Sequence, residues 1–298
     1  MSNYSLHVSL KTKFLNFLRG VFKISFLEKW LAGNTVNKPT HNIFVKLIPP
    51  NYTYPSNSIR EATRGGIQYA LDLSDYVEHF IFWGIKDAGH ETLYKSIKPG
   101  MNVFDVGANI GDTALHFSKS VGSAGKVFAF EPDPANYIKL QTNIAKNNAS
   151  NITSFNIGLG SERGTMKLYK VDPNNKGMNR MFLNRKDDSD FVEVSIEKVD
   201  DVMNQLSYPE IDFIKIDVEG FELEVLKGAK QLLEKFKPEL FIEMDDSFLN
   251  ANNASIKQVI QFLSEMNYKI QVAQTGKIIT TDTESFAEKH FDVLCTKI

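Results

Sequence analysis

The chain has 298 residues, enough for one or two domains with a full buried core. Hydrophobic residues make up 42% and charged residues 23%, with 18 Gly and 10 Pro, which excludes collagen-like, low-complexity and wholly disordered classes. The net charge of −2 argues against a nucleic-acid partner, and the single cysteine, Cys295, excludes an intrachain disulfide and a cysteine zinc cluster. A reducing, cytoplasmic compartment is expected. No apolar run approaches the ~18 residues of a membrane span.

Charge is unevenly placed. Residues 1–50 hold seven Lys/Arg (Lys11, Lys13, Arg19, Lys23, Lys29, Lys38, Lys46) against Glu28 alone, a net of +6. Within residues 10–32, Phe14, Phe17, Leu18, Val21, Phe22 and Leu31 recur near helical spacing, with Gly20 weakening the pattern. A helix docked on the main domain is the expectation. A basic amphipathic helix lying on an acidic membrane, or on a protein partner, is the alternative.

Residues 33–100 read as a lead-in, with a strand-like GIQYALDL (66–73), an aromatic stretch over 76–85 and a short helix near 91–97. His79 and Trp83 are four apart, so on a helix they share a face, either over a ligand or in a core. We divide the chain into a basic extension over 1–60 and a main domain over 61–298, with the lead-in at 61–100 and a core at 101–298.

The core alternates strand and helix patterns, the signature of a parallel α/β sheet. Strands are predicted at 101–106, 126–131, 152–158, 211–217, 239–244, 268–272 and 292–298. Helices are predicted from about 112, at 134–147, 222–236 and 255–266. Between residues 158 and 211 the pattern alternates instead, at 165–171 and 191–196, which predicts an antiparallel hairpin with a 19-residue tip. A tip of that length is usually functional or disordered. In it, Lys176, Asn179, Arg180, Arg185 and Lys186 are read as solvated charges, with an anionic or polar substrate as the alternative.

The first core strand ends in DVGANIG (105–111), where Asp105, Gly107, Ala108, Asn109 and Gly111 form a candidate cofactor loop. Open parallel sheets bind ligands at this edge. A dinucleotide fingerprint from Gly107 requires glycines where Asn109 and Asp112 stand, and a diphosphate would meet two anions. Glu131 ends the second strand, ahead of Pro132, where a carboxylate can accept both hydroxyls of a ribose. A ribose, a cationic portion and no phosphate together describe S-adenosylmethionine. The segment 156–159, with Gly158, is placed near the adenine by topology.

The fourth core strand, FIKIDVEGFE (213–222), carries charges in a buried run. Lys215 and Asp217 share a face, and buried charges need partners. Asp217 and Glu219 point to the ligand edge, and Glu243, Asp245 and Asp246 end the next strand. A carboxylate raised by its neighbours can serve as a base, so Asp217, Glu219 and Lys215 are the catalytic candidates. A divalent ion on oxygen ligands is the lesser alternative, and no metal ligand is assigned.

Three motifs in order, GMNVFDVGANIGD (100–112), FEPDP (130–134) and IDFIKIDVEGFELEVLKGA (211–229), resemble the FkbM family of S-adenosylmethionine-dependent methyltransferases. The lead-in at 66–87 is also similar. The resemblance covers about residues 60–272. It implies a class I methyltransferase fold, a Rossmann-like seven-stranded mostly parallel sheet with an antiparallel last strand. It also implies O-methyl transfer, often to sugar hydroxyls of glycans or to polyketides. The family's glycine-rich loop falls on Asp105, Gly107, Asn109 and Gly111, its ribose-binding acid on Glu131, and its acidic motif on Asp217, Glu219 and Gly220. The chain departs from the family at 177–182, GMNRMF, where a serine-rich stretch is expected. Residues 1–50 have no clear counterpart.

Overall fold

A computed structural model describes residues 9–85, 89–170, 179–182, 190–206, 210–282, 286 and 289–298. The chain folds as two compact units, divided in sequence at residues 87 and 88. The expected division at 60 therefore falls inside the first unit.

The first unit contains helices α1 (Leu10–Arg19), α2 (Ser25–Thr35) and α3 (Ile43–Lys46), a hairpin of β1 (Ile59–Arg64) and β2 (Ile67–Asp72), and helix α4 (Tyr76–Trp83). A 3-10 turn at Gly20–Lys23 splits the predicted 10–32 helix. Helix α1 buries no residue, and its apolar positions Leu10, Phe14, Phe17 and Leu18 are exposed. Strand β1 escaped the sequence reading because its sequence, IREATR, offers no apolar stripe. In α4, Asp75 caps the start through the amides of Val77 and Glu78. His79 and Trp83 are both buried. His79 Nε2 lies 2.8 Å from the Pro49 carbonyl oxygen and 3.0 Å from Trp83 Nε1. Burial lowers the His79 pKa to about 4, so it packs as a neutral ring. Of the two readings for this pair, the core reading holds.

The second unit opens with α5 (Gly89–Ser96), then alternates β3 (Asn102–Val106), α6 (Asp112–Val121), β4 (Lys126–Phe130), α7 (Pro134–Lys146) and β5 (Ile152–Phe155). Next come β6 (Gly158–Gly160), β7 (Gly164–Tyr169), β8 (Arg180–Met181), β9 (Phe191–Lys198) and α8 (Val199–Leu206). The chain continues through β10 (Phe213–Ile216), α9 (Glu222–Gly228), α10 (Lys230–Phe236), β11 (Glu239–Asp245), α11 (Asp246–Ala251) and α12 (Ile256–Glu265). It ends with β12 (Tyr268–Val272) and β13 (His290–Lys297). Seven strands form one sheet in the order β12-β13-β11-β10-β3-β4-β5, with β13 antiparallel to both neighbours. The expected Rossmann-like architecture is present.

The central strands read as continuous apolar runs because helices cover both faces. Phe104, Val106, Phe128, Phe130, Ile214 and Ile216 face one core layer. Val103, Val127, Ala129 and Phe213 face the other, with Ala114 and Phe117 of α6. The predicted hairpin is β7 against β9, in a four-stranded sheet ordered β6-β9-β7-β8. Of its tip, residues 179–182 and 190 are described, and Lys176, Arg185 and Lys186 lie outside the described residues. Among the described residues, no helix is long and apolar enough to cross a membrane.

Candidate active site

The site is built at the carboxyl edge of β3, β4, β10 and β11, where the parallel strands hand over to loops. Asp105 and Lys215 occupy the same register on adjacent strands, so the two buried charges meet across the sheet. The Lys215 ammonium donates to the Gly107 carbonyl oxygen (2.9 Å) and lies 3.4 Å from Asp105 Oδ1 and 3.1 Å from Asp217 Oδ2. The Thr113 hydroxyl, from the first turn of α6, donates to Asp105 Oδ2 at 2.6 Å. Burial penalises the Lys215 charge, but Asp217 and Asp105 outweigh it and hold the ammonium charged. Burial pushes Asp105 up despite Lys215, and Lys215 holds Asp217 down against burial. Lys215, a catalytic candidate from the sequence, is only 3% exposed and held by three partners.

The glycine loop is tightly drawn. Gly107 (φ 80°), Asn109 (φ 50°) and Gly111 (φ 91°) all take left-handed backbone. A Cβ on Gly107 would sit 1.8 Å from the Asp217 carbonyl oxygen, so glycine is required there. The amides of Gly107 and Ala108 donate to the Phe130 carbonyl, and that of Gly111 to the Ala108 carbonyl. The Asn109 amide donates to Glu131 Oε2 at 2.8 Å. These four amides are used within the chain and do not form a phosphate cradle.

Glu131 is buried, and its other oxygen accepts from the Asp133 amide at 2.9 Å. Burial raises its pKa to about 7, against the pull of those two amides. Each carboxylate oxygen keeps a further lone pair. Asp133 caps α7 through Oδ1 and accepts from the Asn179 side-chain amide through Oδ2, at 2.7 Å. The Asn156 side-chain amide donates to the carbonyls of Glu131 and Pro132. Gly158 is buried, and a side chain there would strike Ile196 and approach Pro132, so its bareness serves packing between the strand edge and the hairpin sheet.

After β10 the chain turns sharply. Glu219 (φ 55°) and Gly220 (φ 101°) adopt left-handed backbone, and a Cβ on Gly220 would lie 2.4 Å from the Phe248 carbonyl oxygen. Glu222 Oε1 accepts from the amides of Gly220 (2.9 Å) and Val218 (3.3 Å), fixing the turn. Burial raises Glu222 to about 7. Glu219 is raised to about 8 by burial, and by Asp217 against the pull of Arg180. Glu243 joins the group. Burial and the Asp217 charge push it well up, so it holds the proton shared with Asp217. Oxygens of Asp217, Glu219 and Glu243 lie within 4.8 Å of one another, the spacing of a cation ligand set. Asp245 caps α11 and, as expected, also stands close enough to act electrostatically on Glu219 and Arg180, whereas Asp246 bonds the Asn250 side chain.

Arg180 was read as a solvated loop charge, and it is not one. Its guanidinium stacks 3.3 Å from the Phe248 ring centroid, and Nε lies 3.5 Å from Glu219 Oε2. With Asn179, it ties the hairpin tip to the strand edge. Sequence offered no signal for either role beyond their place in a long tip.

A family model described as the methyltransferase FkbM domain matches residues 105–270. The chain is 33% identical over 159 residues to methyltransferase sdnD of Sordaria araneosa, covering 43% of this chain and 60% of that protein. It is 30% identical over 134 residues to the hexuronic acid methyltransferase AglP of Haloferax volcanii, covering 44% and 51%. The match to the 2-O-methyltransferase NoeI of Sinorhizobium fredii is 24% over 202 residues, covering 63% and 82%. The matched segments thus span half to three fifths of the first two. Among solved structures, an FkbM methyltransferase from Methylobacillus flagellatus aligns with a TM-score of 0.43 at 20% identity, over 74% of this chain and 52% of that one.

Proposed function

Because the chain belongs to the FkbM methyltransferase domain family, we propose that it transfers a methyl group from S-adenosylmethionine to a hydroxyl of a carbohydrate. The observation that carries the cofactor reading is the donor set. Around the glycine loop, amides are spent internally and carboxylates are left, which suits a ribose diol and a cationic sulfonium and ammonium rather than a diphosphate. The carbohydrate reading leans on AglP, a hexuronic acid methyltransferase, and the hydroxyl reading on NoeI, a 2-O-methyltransferase. The cytoplasm remains our proposed compartment, and the lone Cys295 is buried and reduced.

When bound, S-adenosylmethionine supplies an electrophilic methyl carbon. The chain has to hold that carbon, present the acceptor oxygen in line and remove its proton. Glu131 would accept from the ribose hydroxyls through its remaining lone pairs. Asp105, Thr113 and Lys215 hold the loop of 107–111 against β10. Asp217, ionised, would hold the cationic end. Glu219 takes the acceptor proton: with a pKa near 8 it is a base matched to mildly alkaline conditions. Arg180, stacked on Phe248, orients Glu219 and can hydrogen-bond an acceptor oxygen.

Titration calorimetry with S-adenosylhomocysteine, beside NADH, tests the cofactor. Binding of the first alone, lost in Glu131→Ala, is expected. Binding of NADH instead would overturn the reading. Radiolabelled methyl transfer to an acidic polysaccharide then separates an enzyme from a cofactor-binding scaffold.

A further inference from the structure

The first unit presents its amphipathic helix the wrong way round for a globular protein. On α1, the three less exposed positions are Thr12, Asn16 and Arg19, at i, i+4 and i+7. That polar stripe faces the unit: the Asn16 side-chain amide donates to the Tyr52 hydroxyl (2.9 Å), and Arg19 Nε donates to the Lys46 carbonyl (2.9 Å). Leu10 (84% exposed), Phe14, Phe17 (79%) and Leu18 form the opposite, outward stripe. Lys11 and Lys13 flank it on its two sides, both exposed. Apolar positions normally turn a surface helix toward the core. Here hydrogen bonds hold the reverse orientation.

The surroundings carry a single sign. Lys29, Lys38 and Lys46 are also exposed. Glu28, the sole acid of residues 1–50, is buried and paired with Arg60 at 2.7 Å. The exposed face of this segment therefore carries cations without anions. Val21, Ile24, Phe26 and a half-exposed Trp30 extend the apolar exposure beyond α1. Trp30 sits between Phe22 and Phe44 in an aromatic cluster.

We propose that α1 and the turn after it dock this protein on an anionic lipid surface. Phenylalanines enter the headgroup boundary, and lysines on either side reach back to the lipid charges. Membrane-interface helices have this arrangement: an apolar stripe bordered by basic residues, with an aromatic at the boundary. The proposal stands apart from the methyltransferase reading, since none of these residues belongs to the second unit.

The test is co-flotation of the full chain with vesicles of phosphatidylcholine alone and of phosphatidylcholine mixed with phosphatidylglycerol. Trp30 emission serves as a second readout, because Trp83 is buried and gives a constant background. Binding to the mixed vesicles is expected, with a blue shift and release by salt. Lys11→Gln with Lys13→Gln should weaken it about thirtyfold. Phe14→Ser with Phe17→Ser should weaken it about a hundredfold. All four residues are exposed, so circular dichroism should show intact folding in both variants. Equal binding to both vesicle types, or no binding, overturns the proposal. So does a chain that sediments as a dimer and becomes a monomer in Phe14→Ser with Phe17→Ser, since a second copy would then cover the stripe.

Discussion

Lys215→Met is the most informative single change. It deletes the ammonium on which Asp105 Oδ1 (3.4 Å), Asp217 Oδ2 (3.1 Å) and the Gly107 carbonyl oxygen (2.9 Å) converge, while keeping side-chain volume. Asp105 is fully buried, so its charge is left with no compensating cation. Breaking a buried pair in this way costs about 3–5 kcal/mol. That is a large part of the ~5–15 kcal/mol that holds an ordinary domain together. Removing one of the stranded carboxylates should return part of the loss. Lys215→Met with Asp217→Asn should therefore show a coupling of about 1–3 kcal/mol.

The loss also has a pH signature. Without the cation, Asp105 and Asp217 are both pushed up in the folded state. The folded variant then holds protons that the unfolded chain releases, and its stability falls as pH rises above the unfolded carboxyl range. The penalty is smallest in acid and greatest above neutrality. Urea unfolding should be followed by circular dichroism, because both tryptophans, Trp30 and Trp83, lie in the first unit and report on that unit. A penalty under about 1 kcal/mol, equal across pH and additive with Asp217→Asn, would refute the account of Lys215 as the electrostatic keystone.

Gly107→Ala places a methyl 1.8 Å from the Asp217 carbonyl oxygen and forces β3 and β10 apart at their ends, so S-adenosylhomocysteine affinity should fall at least tenfold with a lowered melting temperature; unchanged calorimetry and melting would contradict the packing. Methyl transfer should rise with pH through about 8 as Glu219 loses its proton, and Glu219→Gln should remove that limb and cost roughly a hundredfold in kcat while sparing cofactor binding. Glu131 and Glu222, both raised to about 7 from 4.5, bind protons in the folded state that the unfolded chain has released. Their contribution is complete below the unfolded value and is lost as pH rises toward 7, so thermal melts should fall through that window and Glu222→Gln should flatten the fall. In the first unit, Arg60→Ala removes the direct ion partner of the buried Glu28 carboxylate, leaving Tyr54 and the Lys23 charge near it, and should destabilise by roughly 2 kcal/mol, seen in tryptophan fluorescence with the second unit's circular dichroism transition unmoved.

Much of this architecture was legible before any coordinates. Strands such as FIKI at 213–216 are buried on both faces, and a short apolar run between turn residues is a strong local signal. The glycine loop and Glu131 were readable because their roles are set by residues within one strand–loop–helix step. Lys215 was seen as a partner of Asp217, two residues away, but not of Asp105. That pairing depends on register between residues 110 apart in sequence, which periodicity does not encode. Glu222 was missed for a related reason. Its carboxylate reaches back to the amides of Gly220 and Val218, a turn contact masked by the charge-rich run around it. The predicted 222–236 helix breaks at residue 229, where Gly228 approaches the Gly160 carbonyl so closely that a Cβ would lie 1.9 Å away, a tertiary constraint with no local trace. For α1 the periodicity located both faces correctly. Which face turns inward was decided by Tyr52 and Lys46, far along the chain.

The four-stranded sheet interrupts the main sheet between β5 and β10, and its tip reaches the strand edge through Asn179 to Asp133 and Arg180 to Glu219. The loop of residues 107–111, by contrast, is fastened to β4 and β10 by bonds that never pass through the hairpin. Evolution can therefore work on the two halves separately. A lineage can rewrite the tip around Asn179 and Arg180, and so change what meets the strand edge, while leaving the fastened loop untouched.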